Sequence, residues 1–485
     1  MTTTRVRAAR HHTRDRADEL PPFGVLVLLA GAFLPIMDFF ITNVALPSID
    51  TSLHASTSSL QLVIAGYGVA YAALLVLGGR LGDRYGRHRL FIGALVGFVL
   101  ASLACGLAPD VDLLIAARIV QGATAAVLVP QVLATFHHTL DGERKARALA
   151  LYGATSGIAA VVGQLVGGLL VSADVAGTGW RPIFLVNVPI GLVVLVVAAR
   201  IVPATKSPHP VGVDLPGTVL FAATLVALLV PLTEGHALGR PWWSWALLGL
   251  AVVLGAVTYL VERRAERRGE VPLLPPSLLR LPSMSRGLLM VLAFSIGFGA
   301  FMFVFALTVQ NGLHEDALHG GLAILPMALL FFAGSVLAPR LISRFGRAAL
   351  AAGAVVQLAG LAWLVAVLVT GWPHVGVWAM AAPLALAGAG QSMLFAGLFR
   401  SVLADVPTHL GGIGSGALIT LQQSGLALGV ATLGTLYISL APHGVPHAFA
   451  TVEYVHIGIV AFLALGAAAL PRFTPGAVST PVTDA

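Results

Sequence analysis

Charged side chains are scarce in this sequence. Asp, Glu, Lys and Arg together make 10% of 485 residues, where soluble domains carry about 25%. With 57% of residues hydrophobic, too little polar side chain remains to cover a water-soluble globule, and the same balance excludes a disordered chain. Cysteine is nearly absent. Cys105 stands alone in an apolar run, so there is neither a disulfide framework nor a cysteine metal site. Lysine is limited to Lys145 and Lys206 among 28 basic residues. The net charge of +7 would suit nucleic acid, but the charges sit in short connections between apolar runs, which argues against that partner. The sequence also lacks a phosphate-binding loop, a nucleophile elbow and an H-E-x-x-H zinc motif. An ATP-driven pump and a hydrolytic enzyme are therefore not expected. Nor is a cofactor or a metal, because the pairs His11–His12 and His137–His138 have no carboxylate or cysteine companions.

Long apolar runs are what is there. Fourteen fall at about 23–45, 59–79, 90–108, 112–135, 147–172, 182–201, 214–233, 242–261, 287–309, 318–339, 348–370, 375–399, 411–440 and 452–470. About 20 apolar residues span a bilayer as a helix. Residues 348–399 contain no Asp, Glu, Lys or Arg, enough for two crossings joined by a turn at Gly371–Pro373. A β-barrel would show alternating segments of about ten residues, and these runs do not alternate. The expected fold class is an all-α integral membrane protein of fourteen helices. Lys and Arg fix its orientation: with the N-terminus in the cytoplasm, 25 lie on the cytoplasmic side, Arg181 and Arg240 lie outside, and Arg118 falls within a run. Both termini are then cytoplasmic. The first run is too long for a cleaved signal peptide and carries Asp38. Trp242, Trp243 and Trp245 open the eighth run as an interfacial belt.

The chain repeats itself. Residues 80–90, RLGDRYGRHRL, and 340–350, RLISRFGRAAL, match at Arg80/Arg340, Arg84/Arg344, Gly86/Gly346, Arg87/Arg347 and Leu90/Leu350, a constant offset of 260. Each copy follows the second run of its half. Two similar halves around a mid-membrane site are a known transporter plan. The expected division is a cytoplasmic tail at 1–22, a six-helix bundle at 23–201, two inserted helices with their connections at 202–286, a second six-helix bundle at 287–470 and a cytoplasmic tail at 471–485.

Few polar residues lie within the runs, and those are the candidates for chemistry. A charge at the bilayer centre costs about 2.5–3.5 kcal/mol on insertion scales, so Asp38 is expected to face a cavity and carry a proton. Arg118, charged at any relevant pH, is expected to pair with a carboxylate and tune that proton. In the loop between runs two and three, Gly79, Asp83, Arg84, Gly86 and Arg87, echoed by Arg344, Gly346 and Arg347, combine turn-forming glycines with paired charges. Gly157, Gly163, Gly167 and Gly168 permit close packing of the fifth helix, Gly163 and Gly167 forming a GxxxG pair. Phe39, Asn43, Tyr67, Tyr71, Gln121, Gln164, Phe301, Phe305, Gln310, Gln391, Gln422 and Gln423 supply aromatic and amide groups for a substrate cavity. No acid in the membrane part of the second half matches Asp38 in position, so proton coupling is expected to concentrate in the first half.

Taken together, these motifs resemble the major facilitator superfamily, and within it the fourteen-span drug:proton antiporter branch. The loop from Gly79 to Arg89 is similar to the superfamily signature. Asp38 followed by Asn43-Val44-Ala45-Leu46-Pro47 is similar to the branch's first-helix signature, and Arg118 with Gln121 and Gly122 resembles its fourth-helix motif. Trp180-Arg181 followed by Asn187-Val188-Pro189-Ile190-Gly191 is similar to a segment of fourteen-span members. Gln164 stands where the fifth-helix antiporter motif has proline, His88 replaces the usual Lys and Pro182 a common Trp. The resemblance implies two bundles rocking about a central cavity. It also implies proton-driven export of amphipathic drugs or antibiotics across the bacterial cytoplasmic membrane, and a latching role for the loop with Asp83. Protons, an amphipathic small molecule and membrane lipids would be the partners of a monomer. Export of one endogenous metabolite or lipid is the alternative. Proton-coupled import, suggested only by Gln164, is a further one.

Overall fold

In lipid every backbone N–H and C=O must be satisfied within the chain, which leaves the helix as the natural form of an apolar run. A computed structural model describes residues 20–206, 212, 214–237, 241–270, 272–406 and 411–467; the terminal tails proposed at 1–22 and 471–485 lie almost wholly outside these residues. Among the described residues, fourteen helices are long and apolar enough to cross a membrane. They are α1 Pro22–Leu53, α2 Ser58–Tyr85, α3 Arg87–Gly106, α4 Val111–Thr139, α5 Leu151–Ser172, α6 Pro182–Ile201, α7 Leu215–Leu232, α8 Trp242–Arg267, α9 Pro282–Gly312, α10 Ala317–Phe345, α11 Arg347–Gly371, α12 Val377–Val402, α13 Gly414–His443 and α14 Val445–Ala467. All fourteen expected runs are present. Several extend past their apolar windows, because a helix runs on into the interface after its hydrophobic stretch ends. α1, for instance, continues through Pro47 to Leu53.

The two halves pack by one plan. In the first, α2 and α3 flank α4, α5 and α6 lie on α1, and α3 meets α6; in the second, α10 and α11 flank α12, α13 and α14 lie on α9, and α11 meets α14. Each pair in one half has its counterpart eight helices on, as the repeated loop implied. The turn itself explains the repeat. Gly86 and Gly346 both have positive φ, +104° and +56°, a region that costs glycine little. Each donates its N–H back to the preceding helix, Gly86 to Gly82 O at 2.9 Å and Gly346 to Ile342 O at 2.8 Å. The two turns mark one face of the molecule, the loop face.

The halves meet where α5 packs on α10 and α2 on α13. Lipid removes the hydrophobic drive for helix association, so close packing must carry it. A Cβ on Gly168 would lie 2.6 Å from Ala317 O of α10, and one on Gly321 would lie 2.7 Å from Gln164 O of α5. Hydrogen bonds join the halves near the face opposite the loop face. Gln61 donates to Val430 O (3.2 Å) and Thr435 Oγ1 (3.0 Å), Gln310 donates to Val44 O (3.0 Å), and Leu318 N–H donates to Ser172 Oγ (3.0 Å). Val430 and Gln310 both lie in short π-helical turns, the kind of local irregularity that recurs at functional positions.

The inserted pair, α7 and α8, packs together, with α7 against α2. Trp242 and Trp245 are well exposed on α8, as an interfacial belt requires. A groove of about 480 Å³ lies between this pair and α13, with Ser244, Thr432, Thr435 and Ser439 among apolar walls.

Candidate functional site

Asp38 lies at the midpoint of α1, sixteen residues from Pro22 and fifteen from Leu53, and is fully buried. Its carboxylate is the hub of a network drawn from three helices. Arg118 of α4 donates to Oδ2, Gln121 of α4 donates to Oδ1 at 2.9 Å, and Asn187 of α6 donates to the same oxygen at 2.7 Å. Arg118 is also fully buried. It donates through Nε to Val63 O of α2 at 3.1 Å and through Nη1 to Gln121 Oε1 at 2.8 Å. Its guanidinium sits 4.3 Å from the centre of the Tyr67 ring and 5.6 Å from that of Phe184. Aromatic faces stabilise a cation there without supplying a second negative charge.

The local sequence builds this node. Arg118 and Gln121 are three residues apart and so share one face of α4. α1 is brought close by α5: a Cβ on Gly163 would stand 2.7 Å from Met37 O, and one on Gly167 3.1 Å from Ile41 O. The GxxxG pair therefore presses α5 against the two turns that flank Asp38. Tyr67 donates to Pro35 O at 2.9 Å, tying α2 to the turn before Asp38. Ser102 of α3 donates to Phe184 O and accepts from Asn187 Nδ2 at 3.0 Å. Two polar atoms in the network, Arg118 Nη2 and Asn187 Oδ1, are buried without a hydrogen-bond partner. The arrangement is one carboxylate and one permanent cation held away from bulk water. Adding a proton to Asp38 changes the net charge of the node from zero to one, which must alter its hold on Arg118 and on α6.

Asn187 was not among the residues singled out by the sequence, although its segment was. An asparagine in an apolar helix, in a stretch similar to fourteen-span transporters, was the available signal. The other sequence candidates separate into groups. Phe39 packs edge-on to Phe40 and near Tyr67, and Tyr67 stacks on Tyr71 at 6.2 Å, forming an aromatic wall beside the node. Gln121 belongs to the node. Asn43 does not: its amide donates to Phe39 O of its own helix. Gln164 reaches Met302 Sδ of α9 at 3.8 Å and so faces the other half. Phe301 stacks on Phe305 at 5.5 Å within the second half. Gln310 serves the seam between the halves. Gln391 of α12 is buried, with an unpartnered carbonyl oxygen, and Gln422 and Gln423 are half-buried on α13.

At the loop face, Asp83 accepts from Arg87 at 2.8 Å, and the Arg87 N–H donates to Thr205 O at 2.9 Å. Arg84 and Arg344 each lie over the adjacent aromatic ring, Tyr85 and Phe345, another echo of the repeat. Gly79 is half-buried on α2 and approaches Pro130 of α4. Arg80 is the residue of this motif that reaches furthest. It donates to Gly212 O and to Pro272 O, beside Asp214 and Glu262. Asp214 in turn accepts from Leu273 N–H, and Glu262 from Leu274 N–H. The motif thus pins the inserted pair to the first half. Of the packing glycines, Gly157 makes only ordinary contact with Phe332, whereas Gly163, Gly167 and Gly168 are at close approach.

The family model of the Major Facilitator Superfamily matches residues 28–430. The chain belongs to this superfamily. It is 38% identical to a probable actinorhodin transporter of Streptomyces coelicolor, over 85% of this chain and 72% of the relative. It is 35% identical to puromycin resistance protein pur8 of Streptomyces alboniger, over 89% and 85%. A crystal structure of a POT family transporter in complex with 5-aminolevulinic acid superposes with a TM-score of 0.67 at 13% identity, covering 92% of this chain and 96% of that one; it shows the shared fold. With fourteen helices long and apolar enough to cross a membrane among the described residues, this superfamily member is a multi-pass protein of the cytoplasmic membrane, a transporter by family.

Proposed function

We propose that this transporter exports amphipathic drugs or antibiotics and couples their exit to proton entry through Asp38. The observation that carries the reading is the fully buried Asp38–Arg118 pair at the middle of α1. A charge pair so deep is costly to assemble, and intramembrane ionisable groups mark ion and substrate pathways. The cargo class is supported by the relatives, one a probable actinorhodin transporter and one a puromycin resistance protein.

In this reading the loop face is cytoplasmic, where most Lys and Arg lie, and both termini lie on that side. The hydrogen bonds of Gln61, Gln310 and Ser172 then close the outer face. Residues 23–201 and 287–470 are the rocking bundles, and 202–286 carries the inserted pair. The aromatic wall of Phe39, Tyr67 and Tyr71, with Gln164 of the same bundle reaching toward Met302 of the facing one, is the start of the substrate surface. Protonation of Asp38 frees Arg118 from its counter-charge and loosens the hold on α4 and α6. The asymmetry between empty and loaded carriers follows from that change. The driving force is about 2.3 kcal/mol per charge per 100 mV of membrane potential, with any pH gradient in addition. Asp83 and Arg87 shape the loop that latches the cytoplasmic side when the outer side opens. A monomer suffices for this cycle.

Both relatives are named for one compound each, actinorhodin and puromycin, which favours a second reading: export of a single endogenous product, with drug resistance incidental. Proteoliposomes loaded with puromycin or ethidium separate these readings. Efflux of both, accelerated by an opposing proton gradient and abolished by its collapse, supports the first. Efflux indifferent to the gradient contradicts it. Transport of neither probe, together with loss of one cellular metabolite from the medium of a deletion strain, supports the second.

A further inference from the structure

The second half carries a buried ionisable pair that none of the preceding argument uses. Glu453 and His456 lie three residues apart on α14, and both are buried, Glu453 completely. His456 Nδ1 is 3.1 Å from Glu453 Oε2. The other carboxyl oxygen, Oε1, is buried without a partner. His456 is the midpoint of α14, eleven residues from Val445 and eleven from Ala467. At a rise of 1.5 Å per residue that places it about 16 Å from either end.

We propose that Glu453 and His456 form a second proton-binding site, located in the C-terminal half at the depth of Asp38. The repeat supports the assignment. At the offset of 260 that aligns the two loops, Asp38 corresponds to Phe298. His456 sits against the neighbouring residue, with its ring 2.5 Å from where a Cβ on Gly297 would be, and 6.0 Å from the Phe301 ring centre. α14 is the counterpart of α6, which supplies Asn187 to the first node. The second half therefore places its ionisable groups on the partner helix rather than on the first helix of the bundle. Glycine at 297 is what leaves room for the imidazole.

Among the described residues, no fixed cation balances this pair. α14 packs against α9, α11, the π-turn at 308–312, the end of α13 and the turn at 441–443. The other titratable or charged groups on these elements are Arg286, Arg347, Tyr437 and His443, with His447 and Tyr454 on α14 itself. Arg286 and Arg347 stand at the loop-face ends of α9 and α11. Arg286 is eleven residues, about 16 Å along the helix, from Gly297. The Tyr437 hydroxyl is occupied by Thr308 at 3.0 Å. Asp38 has Arg118 as a permanent partner, but Glu453 has only a group that itself gains and loses a proton. One proton on the pair makes it neutral as a whole, whether it sits on Nδ1 or on Oε2. Losing it leaves a net negative charge at mid-membrane, and gaining a second leaves a net positive one. The site's role in transport rests on the proton-coupled reading above, but its binding of a proton does not.

Infrared difference spectroscopy of the purified transporter in liposomes, between acid and alkaline pH and without substrate, reads that binding directly. Asp38, Glu262 and Glu453 are the buried carboxylic acids among the described residues. In an Asp38→Asn, Glu262→Gln background, a slowly exchanging carboxyl band is expected to persist and to titrate with pH. Adding Glu453→Gln removes it, and His456→Gln, which keeps a hydrogen-bond donor beside Glu453, shifts it. Absence of any such band in the background, or a band unchanged by both further substitutions, overturns the proposal. Because no flux is measured, a negative result for proton-coupled export leaves this outcome readable on its own.

Discussion

Replacing Asp38 with Asn keeps the shape of the side chain and removes one charge. Arg118 is then left as a positive charge with no counter-charge. It stays fully buried, with only neutral acceptors around it, among them Val63 O and Gln121 Oε1, and faced by the Tyr67 ring. Removing one member of a buried ion pair typically costs about 3–5 kcal/mol, because the survivor cannot rehydrate. Removing both should cost much less. In Asp38→Asn, Arg118→Gln no charge remains, and each hydrogen bond that the neutral amides cannot remake contributes only about 0.5–1.5 kcal/mol. The expected order of thermal stability, measured on substrate-free protein in detergent, is parent, then the double variant, then Asp38→Asn. Substrate-triggered proton movement is lost in both variants, so stability and coupling come apart. An Asp38→Asn protein that melts with the parent, or a double variant that melts no higher than Asp38→Asn, would refute the idea of a charge-balanced node.

Gly163→Ala places a methyl group 2.7 Å from Met37 O, so α5 must move away from α1; overpacking of this kind costs about 1–3 kcal/mol, read as a lower melting temperature, while Gly157→Ala, with its nearest neighbour at 3.6 Å, stays near the parent. Arg80→Gln breaks the donations to Gly212 O and Pro272 O; the expected result is faster protease cleavage of the connections around 206–214 and 268–275, with residual transport. Gln61→Leu with Gln310→Leu removes bonds that join the halves. Because Cys105 is completely buried, a single cysteine introduced near Val44 reports the change, and its labelling from outside the cell is expected to rise several-fold. Asp316 caps α10 by accepting from His319 N–H at 2.7 Å, and that bond holds its carboxyl below the ordinary carboxylate value. A depressed folded value means the cap contributes fully above the unfolded value and is lost as pH falls through the folded one. Protection from hydrogen exchange at the start of α10, measured relative to the intrinsic rate at each pH, should therefore fall at acid pH in the parent and be low already at neutral pH in Asp316→Ala.

Much of the architecture was legible because lipid imposes a simple rule: each long apolar run becomes a helix, and the repeated loop announces two halves. Asp38, Arg118 and Gln121 were legible for the same reason, since a polar residue inside such a run stands out. Asn187 was harder. It lies 149 positions from Asp38, and nothing in an isolated sequence says that α6 turns that amide toward α1. Glu453 and His456 were harder to see, because the last run, expected at 452–470, puts them at its very start, whereas the helix begins at Val445 and carries them well inside the span. Arg80 was legible as part of an anchoring loop, but its grip on the inserted pair depends on backbone carbonyls, which carry no sequence signal. Asn43 shows the converse error: an amide inside a run can be satisfied by the carbonyl one turn back.

The central claim is that a proton taken up at Asp38 is exchanged for exported substrate. One recording tests it most directly: internal pH and ethidium or puromycin flux followed together in proteoliposomes, for the parent and for Asp38→Asn, Arg118→Gln. The account predicts that substrate efflux from parent liposomes acidifies the interior, and that the variant, still folded, moves no protons in response to substrate. Proton movement of parental size in that variant would contradict it.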